Sequence, residues 1–105
     1  MEIHVSGVSA HLSPQVKAYA EYRIFSRLAA LARRIDGVEV VLSGPGRDTP
    51  ATCAVTADLG AAGSVSTRVR RPQPIEAIDG AAAALADAVI RRLEGRLEKG
   101  VRHGP

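Results

Sequence analysis

Thr52-Cys53-Ala54-Val55-Thr56-Ala57-Asp58-Leu59, then Gly60 to Gly63, then Ser64-Val65-Ser66-Thr67-Arg68-Val69-Arg70 is the stretch whose reading decides the fold. Cys53, Val55, Ala57 and Leu59 alternate with polar or small residues, and Val65, Thr67 and Val69 alternate with Ser64, Ser66, Arg68 and Arg70. A period of two places one set of side chains on a single face, the signature of a strand buried on one side. A four-residue connection bounded by glycines makes the two strands an antiparallel hairpin.

Working back toward the N-terminus, Val38, Val40 and Leu42 form the inward face of another strand. The turn-rich run Ser43-Gly44-Pro45-Gly46-Arg47-Asp48-Thr49-Pro50 joins it to the hairpin. Further back, Ser13-Pro14 opens a helix: the Ser hydroxyl accepts an orphan N–H, and Pro at the first position has no N–H to lose. Ala20, Ile24, Leu28, Leu31 and Ile35 recur at helical spacing, which predicts one continuous helix to about residue 35. Asp36-Gly37 is expected to stop it, with Gly37 in the left-handed conformation. Ile3 and Val5, alternating with Glu2, His4 and Ser6, give a short opening strand.

Beyond the hairpin, Arg71-Pro72-Gln73-Pro74 breaks the last strand and begins a second helix. Ile75, Ile78, Ala82, Leu85, Val89 and Leu93 define its core face, with an end at about Lys99, a stop at Gly100 and a frayed tail over residues 100–105. Four half-apolar strands and two half-apolar helices close most simply as two layers. The expected fold is an α+β βαβββα domain spanning residues 1–105. Its four-stranded sheet carries both helices on one face. The last three strands are antiparallel, and the first two pair in parallel through a helical crossover.

Composition narrows the function. The 105 residues include one Phe, two Tyr and no Trp, so the core must be aliphatic, and stacking platforms for single-stranded nucleic acid are scarce. The formal charge is +3, and 12 of the 14 cations are Arg, the side chain best suited to bidentate phosphate contacts. A single cysteine, Cys53, excludes an internal disulfide and fits a reducing compartment. With no secretory leader pattern and no long apolar run, a cytoplasmic location is expected.

Catalytic and cofactor chemistry find no support. His4, His11 and Cys53 match no metal-ligand spacing and lack a fourth ligand. Gly44-Pro45-Gly46-Arg47 lacks the Gly-Lys-Ser/Thr ending of a phosphate loop and reads as a turn. No nucleophile, base and orienting acid group together, so no cofactor, small-molecule substrate or enzymatic activity is expected.

The cations are placed more tellingly. At about 100° per residue, Arg23, Arg27 and Arg34 form one stripe flanking the core face of the first helix. Arg91, Arg92 and Lys99 flank the core face of the second, with Arg96 past its last core layer, while Glu76, Asp87, Glu94 and Glu98 lie on its back. Cations near a helix C-terminus also complement its dipole without any partner. If the two flanks line one groove, Arg23, Arg27, Arg34, Arg91, Arg92, Arg96 and Lys99 would meet RNA phosphates. The open sheet face, with His4, Ser6, Ser43, Thr52, Thr56, Ser66 and Arg68, has no aromatic for base stacking.

Across nearly its whole length the chain resembles the ribosome hibernation-promoting factor family, also called ribosome-associated inhibitors or sigma-factor modulation proteins. The resemblance lies in Met1-Glu2-Ile3-His4-Val5-Ser6-Gly7, Ser13 to Tyr19, Val38-Glu39-Val40-Val41-Leu42, Ala77-Ile78-Asp79-Gly80-Ala81 and the Arg91-Arg92 pair. It implies a fold similar to double-stranded-RNA-binding domains. It also implies binding to the small ribosomal subunit near the decoding region, through basic residues of the two helices, which silences idle bacterial ribosomes under stress. Ala84 and Asp87 stand where the family has basic residues, and Glu94 and Glu98 interrupt its basic C-terminal run. One alternative is therefore a divergent paralogue that serves as a protein-interaction or dimerisation module, pairing as a homodimer through a sheet edge. Another is a general binder of double-stranded RNA.

Overall fold

The computed structural model describes residues 1–7 and 13–101, with the side chains of 96–101 excepted. The elements are β1 (Glu2–Gly7), α1 (Pro14–Leu28), a 3-10 helix (Ala29–Arg34), β2 (Gly37–Ser43), β3 (Ala51–Asp58), a 3-10 turn (Gly60–Ala62), β4 (Ser64–Arg71) and α2 (Pro74–Val101). The sheet order is β1-β2-β3-β4, with β1 parallel to β2 and the other neighbours antiparallel. This is the expected α+β two-layer arrangement.

Register explains the layering. Val5 pairs with Val40, Val40 with Val55, Val38 with Ala57 and Ala57 with Val65, so the period-two apolar residues of all four strands share one face. Both helices cover that face. Ile24 and Leu28 of α1 and Ile78, Leu85 and Val89 of α2 are fully buried against it. Each such side chain contributes about 1.5–3 kcal/mol by leaving water. The buried set is aliphatic apart from Cys53, and holds no aromatic or charged residue among the described residues.

α1 starts as its sequence dictates. Ser13 is extended (φ −76°, ψ 153°), its side chain accepts the Val16 N–H at 3.1 Å, and Pro14 follows as the first helical residue. Its end departs from expectation. The α-helix stops at Leu28 and continues as a 3-10 helix to Arg34, not as one helix to residue 35. Three residues per turn keep Leu28 and Leu31, spaced by three, on the covered side. Gly37 is not a left-handed stop either. It opens β2 beside Glu2, and the chain leaves the helix through extended Ile35 (φ −119°, ψ 118°). The Asp36 N–H then donates to the Asp58 carbonyl at 2.8 Å, so the sheet itself captures the chain and no glycine turn is needed.

α2 begins at Pro74 as expected and runs two residues past the predicted end, through Gly100 to Val101. Ile75, expected in the core, is instead exposed at 39%, while Ala77 and Ile78 on the same first turns are fully buried. Small residues bring the helix close instead. Ala77 and Ala81 are fully buried, and a Cβ on Gly80 would lie 2.9 Å from Val69 Cγ1. A mid-helix glycine costs about 1 kcal/mol relative to alanine, and this close approach to β4 is its structural reason. No helix among the described residues is long and apolar enough to cross a membrane.

Cys53 sits on the helix-facing side of β3 with no exposed surface, and burial pushes its thiol up to about 11. The native protein is therefore expected to resist alkylation by iodoacetamide at pH 8, while urea-unfolded protein is labelled at one site. Because the folded state holds the thiol proton more tightly, this group's contribution is complete below pH 9.0, the ordinary thiol value. It is lost as the pH rises to about 11, a decline of about 2–3 kcal/mol by linkage. Fast native-state labelling at pH 8 would refute the assignment.

Candidate nucleic-acid interface

The strand directions fix where the helix cations lie. α1 runs antiparallel to β1, and α2 runs back along β4, from Gly80 beside Val69 to Arg92 beside Ala62. The two helices are thus parallel to each other, and their C-terminal parts lie at one end of the sheet. The Asp36–Asp58 hydrogen bond and the Leu59–Gly63 connection mark that end. Arg33, Arg34, Arg91 and Arg92 gather there, all exposed.

The seven residues nominated from sequence divide into groups. Arg23 faces α2. Its Nε lies 3.1 Å from Asp79 Oδ1, with both side chains about two-fifths exposed. The N–H is not directed at the oxygen, so the contact is an ion pair and not a hydrogen bond. Tyr19 donates its hydroxyl to the same oxygen at 2.6 Å, and that hydrogen bond, with burial next, raises the Tyr19 pKa. Arg23 thus clips α1 to α2. Arg27 is exposed with no carboxylate partner among the described residues.

Arg34 leaves the predicted stripe. Six residues at about 120° instead of about 100° per residue turn it roughly 120° away from Arg23 and Arg27, and bring Arg33 into line with them. Sequence reasoning missed Arg33 because the tightening of the helix has no local signal.

On α2, Arg91 is exposed, and Arg92 donates from Nη1 to the Ala62 carbonyl at 3.0 Å, anchoring the β3–β4 connection. Asp79 and Arg92 are thirteen residues apart, about 140° around the helix by the shorter way. The flank of α2 that meets α1 is therefore Asp79's. The flank bearing Arg92 faces the β4 edge. The two arginine flanks share an end of the molecule, not the walls of one inter-helix groove. The side chains of Arg96 and Lys99 lie outside the described residues.

The imagined metal set is split by the sheet. His4 is exposed on the open face, Cys53 is buried on the helix face, and His11 lies outside the described residues. Among the described residues no group of three His, Cys, Asp or Glu could hold a metal ion.

Asp79 both clips the helices together and masks one guanidinium. Asp79→Asn is expected to cost about 1 kcal/mol of stability, a modest amount because the pair is partly exposed. Thermal unfolding measures that cost. An unchanged melting temperature would show that the clip contributes nothing.

Comparison with known proteins places this geometry. Residues 3–99 match the family model described as Sigma 54 modulation protein / S30EA ribosomal protein. The crystal structure of the Thermus thermophilus Protein Y N-terminal domain is 27% identical, with a TM-score of 0.63, over 86% of this chain and 93% of that one. A ribosomal subunit interface protein from Coxiella burnetii shares the fold, with a TM-score of 0.75 at 12% identity, over 87% of this chain and 96% of that one. No curated protein sequence matches the chain. The family model matches nearly the whole chain, and the chain belongs to the Sigma 54 modulation protein / S30EA ribosomal protein family.

Proposed function

We propose that this protein is a ribosome-associated hibernation factor of the cytoplasm that binds the small ribosomal subunit and contacts ribosomal RNA near the decoding region. The observation that carries the reading is the family match over residues 3–99. The clustering of exposed Arg33, Arg34 and Arg91 at one end of the two-helix layer supports it. Residues 1–105 act as one binding domain, by binding and not by catalysis. Arg27, Arg34 and Arg91 are the leading phosphate contacts of those nominated from sequence. Arg92, Arg96 and Lys99 extend them along α2, and Arg23 contributes from beside its Asp79 partner.

Phosphate contacts release counterions, so binding must weaken steeply with salt, with a logarithmic slope of about −0.7 to −0.9 per contact. The test is co-sedimentation with purified small subunits at increasing potassium chloride. Four to six contacts predict a slope of roughly −3 to −5. No pelleting at low salt, or pelleting indifferent to salt, would overturn the reading. Plain duplex RNA as competitor separates it from general double-stranded-RNA binding. Pairing of two copies through β4 is disfavoured by Arg68, Arg70 and Arg71 along that edge, because like charges on an edge strand oppose strand addition.

A further inference from the structure

A second basic feature lies at the opposite end of the sheet, on the open face. Where the β2–β3 turn meets the sheet there is a cleft of about 350 Å³ lined by Ser43, Gly44, Thr49, Pro50, Thr52 and Arg70. That volume is at the small end of ligand clefts. Register builds it: Ser43 pairs with Thr52 and Thr52 with Arg70, so these three side chains stand in one row across β2, β3 and β4. At about 4.8 Å between strands the row spans roughly 10 Å.

The lining is chemically one-sided. It holds one guanidinium and three hydroxyls, with no carboxylate and no aromatic ring. The side chains of Arg70, Ser43 and Thr52 have no protein hydrogen-bond or ion-pair partner among the described residues. Thr49 accepts from the Gly46 N–H at 2.9 Å, which leaves its own O–H free to donate. Arg68, two residues before Arg70 and on the same face of β4, is exposed and unpaired, and adds positive potential.

The turn itself is tightly constrained. Gly44 has φ +66°, and a Cβ there would lie 2.6 Å from the Pro50 carbonyl oxygen, so only glycine lets the two ends of the turn approach this closely. The donors are therefore held by sheet register and a tight turn, not by a floppy loop.

We infer that this cleft binds a single phosphate group, with Arg70 as the charged anchor and Ser43, Thr49 and Thr52 as hydroxyl donors. Donors from the sheet row and, through Thr49, from the turn beside it suit a tetrahedral oxyanion better than a planar carboxylate. The absence of a ring in the lining leaves a base unread. The phosphate is either free or terminal, or part of an RNA backbone. The site is on the face away from the helix arginines, so it stands or falls independently of the ribosome reading.

The test is amide NMR titration of the whole protein with inorganic phosphate, at constant ionic strength set by chloride. Saturable shifts confined to residues 43–52 and 68–71 are expected, with a dissociation constant on the order of 1 mM. Arg70→Gln should weaken binding at least about tenfold, and Thr52→Val should weaken it less while preserving the strand. Acetate should produce no comparable shifts. A 5′-phosphorylated oligouridylate that binds where its 5′-hydroxyl counterpart does not assigns the site to terminal or free phosphate. Equal binding of both assigns it to the backbone. Absent or unsaturable shifts, shifts unchanged in both variants, shifts confined to the helix arginines, or equal shifts with acetate would each overturn the proposal.

Discussion

Arg27→Glu combined with Arg91→Glu is expected to weaken small-subunit binding by on the order of 100-fold or more, because each lost charge-assisted contact removes about 1.5–3 kcal/mol. Both side chains are exposed and neither has a carboxylate partner among the described residues, so the fold should be indifferent to the change. That separates them from Arg23, which holds Asp79, and from Arg92, which holds the Ala62 carbonyl. Reversal at those two positions would mix a binding effect with a structural one. The salt slope should also flatten by about two, one for each phosphate contact removed. A double variant that pellets with small subunits like the parent, and with the same slope, would remove these two residues from the interface. A matched reversal of the opposite sign, Glu94→Lys, adds positive charge beside Arg91 and should tighten binding.

Leu85→Ala should destabilise the protein by about 2–5 kcal/mol, the range for emptying a fully buried leucine site. Leu85 has no exposed surface and lies on α2, which packs over β3 and β4. The neighbouring core offers little that could move into the space. On the same helix Ala81, Ala82 and Ala86 are too short to fill it, and Val89 is β-branched and stiff. For a chain of this size the loss corresponds to a fall of roughly 10–20 °C in melting temperature. Denaturant unfolding with an unchanged m-value gives the cleaner number. A cost under about 1 kcal/mol would mean that the helix layer repacks, in conflict with the close approach at Gly80 that holds α2 against Val69.

These two experiments touch different parts of what could be read in the chain. Core positions such as Leu85 were legible because burial imposes a period on the sequence itself. The interface was legible only in outline. Arg27 and Arg91 stood out as cations beside apolar stripes, but nothing local distinguished them from Arg23 and Arg92, which differ only in what lies across from them. Asp79 and Ala62 are 56 and 30 residues away from those partners, and such pairings leave no trace in periodicity. The relative placement of Arg33 and Arg34 was illegible for a related reason. The helix tightens after Leu28 to deliver Ile35 to the core and Asp36 to the Asp58 carbonyl, a demand set by the sheet and not by the residues from Ala29 to Arg34.

The amino-acid sequence by itself determined the order of strands and helices, the face each one buries, the Ser13-Pro14 helix start and the aliphatic character of the core. Each of these follows from short-range geometry: two residues per strand repeat, 3.6 per helical turn, and one hydroxyl three residues before an orphan N–H. Tertiary structure alone decided three things. It set which flank of α2 meets α1, and so divided the arginines between two surfaces. It tied Arg23 and Arg92 to protein partners. It also brought Ser43, Thr52 and Arg70 into one row from three strands. All three depend on register between segments far apart in the chain, and register is set by the packing of the whole sheet and its helices, to which no local stretch has access.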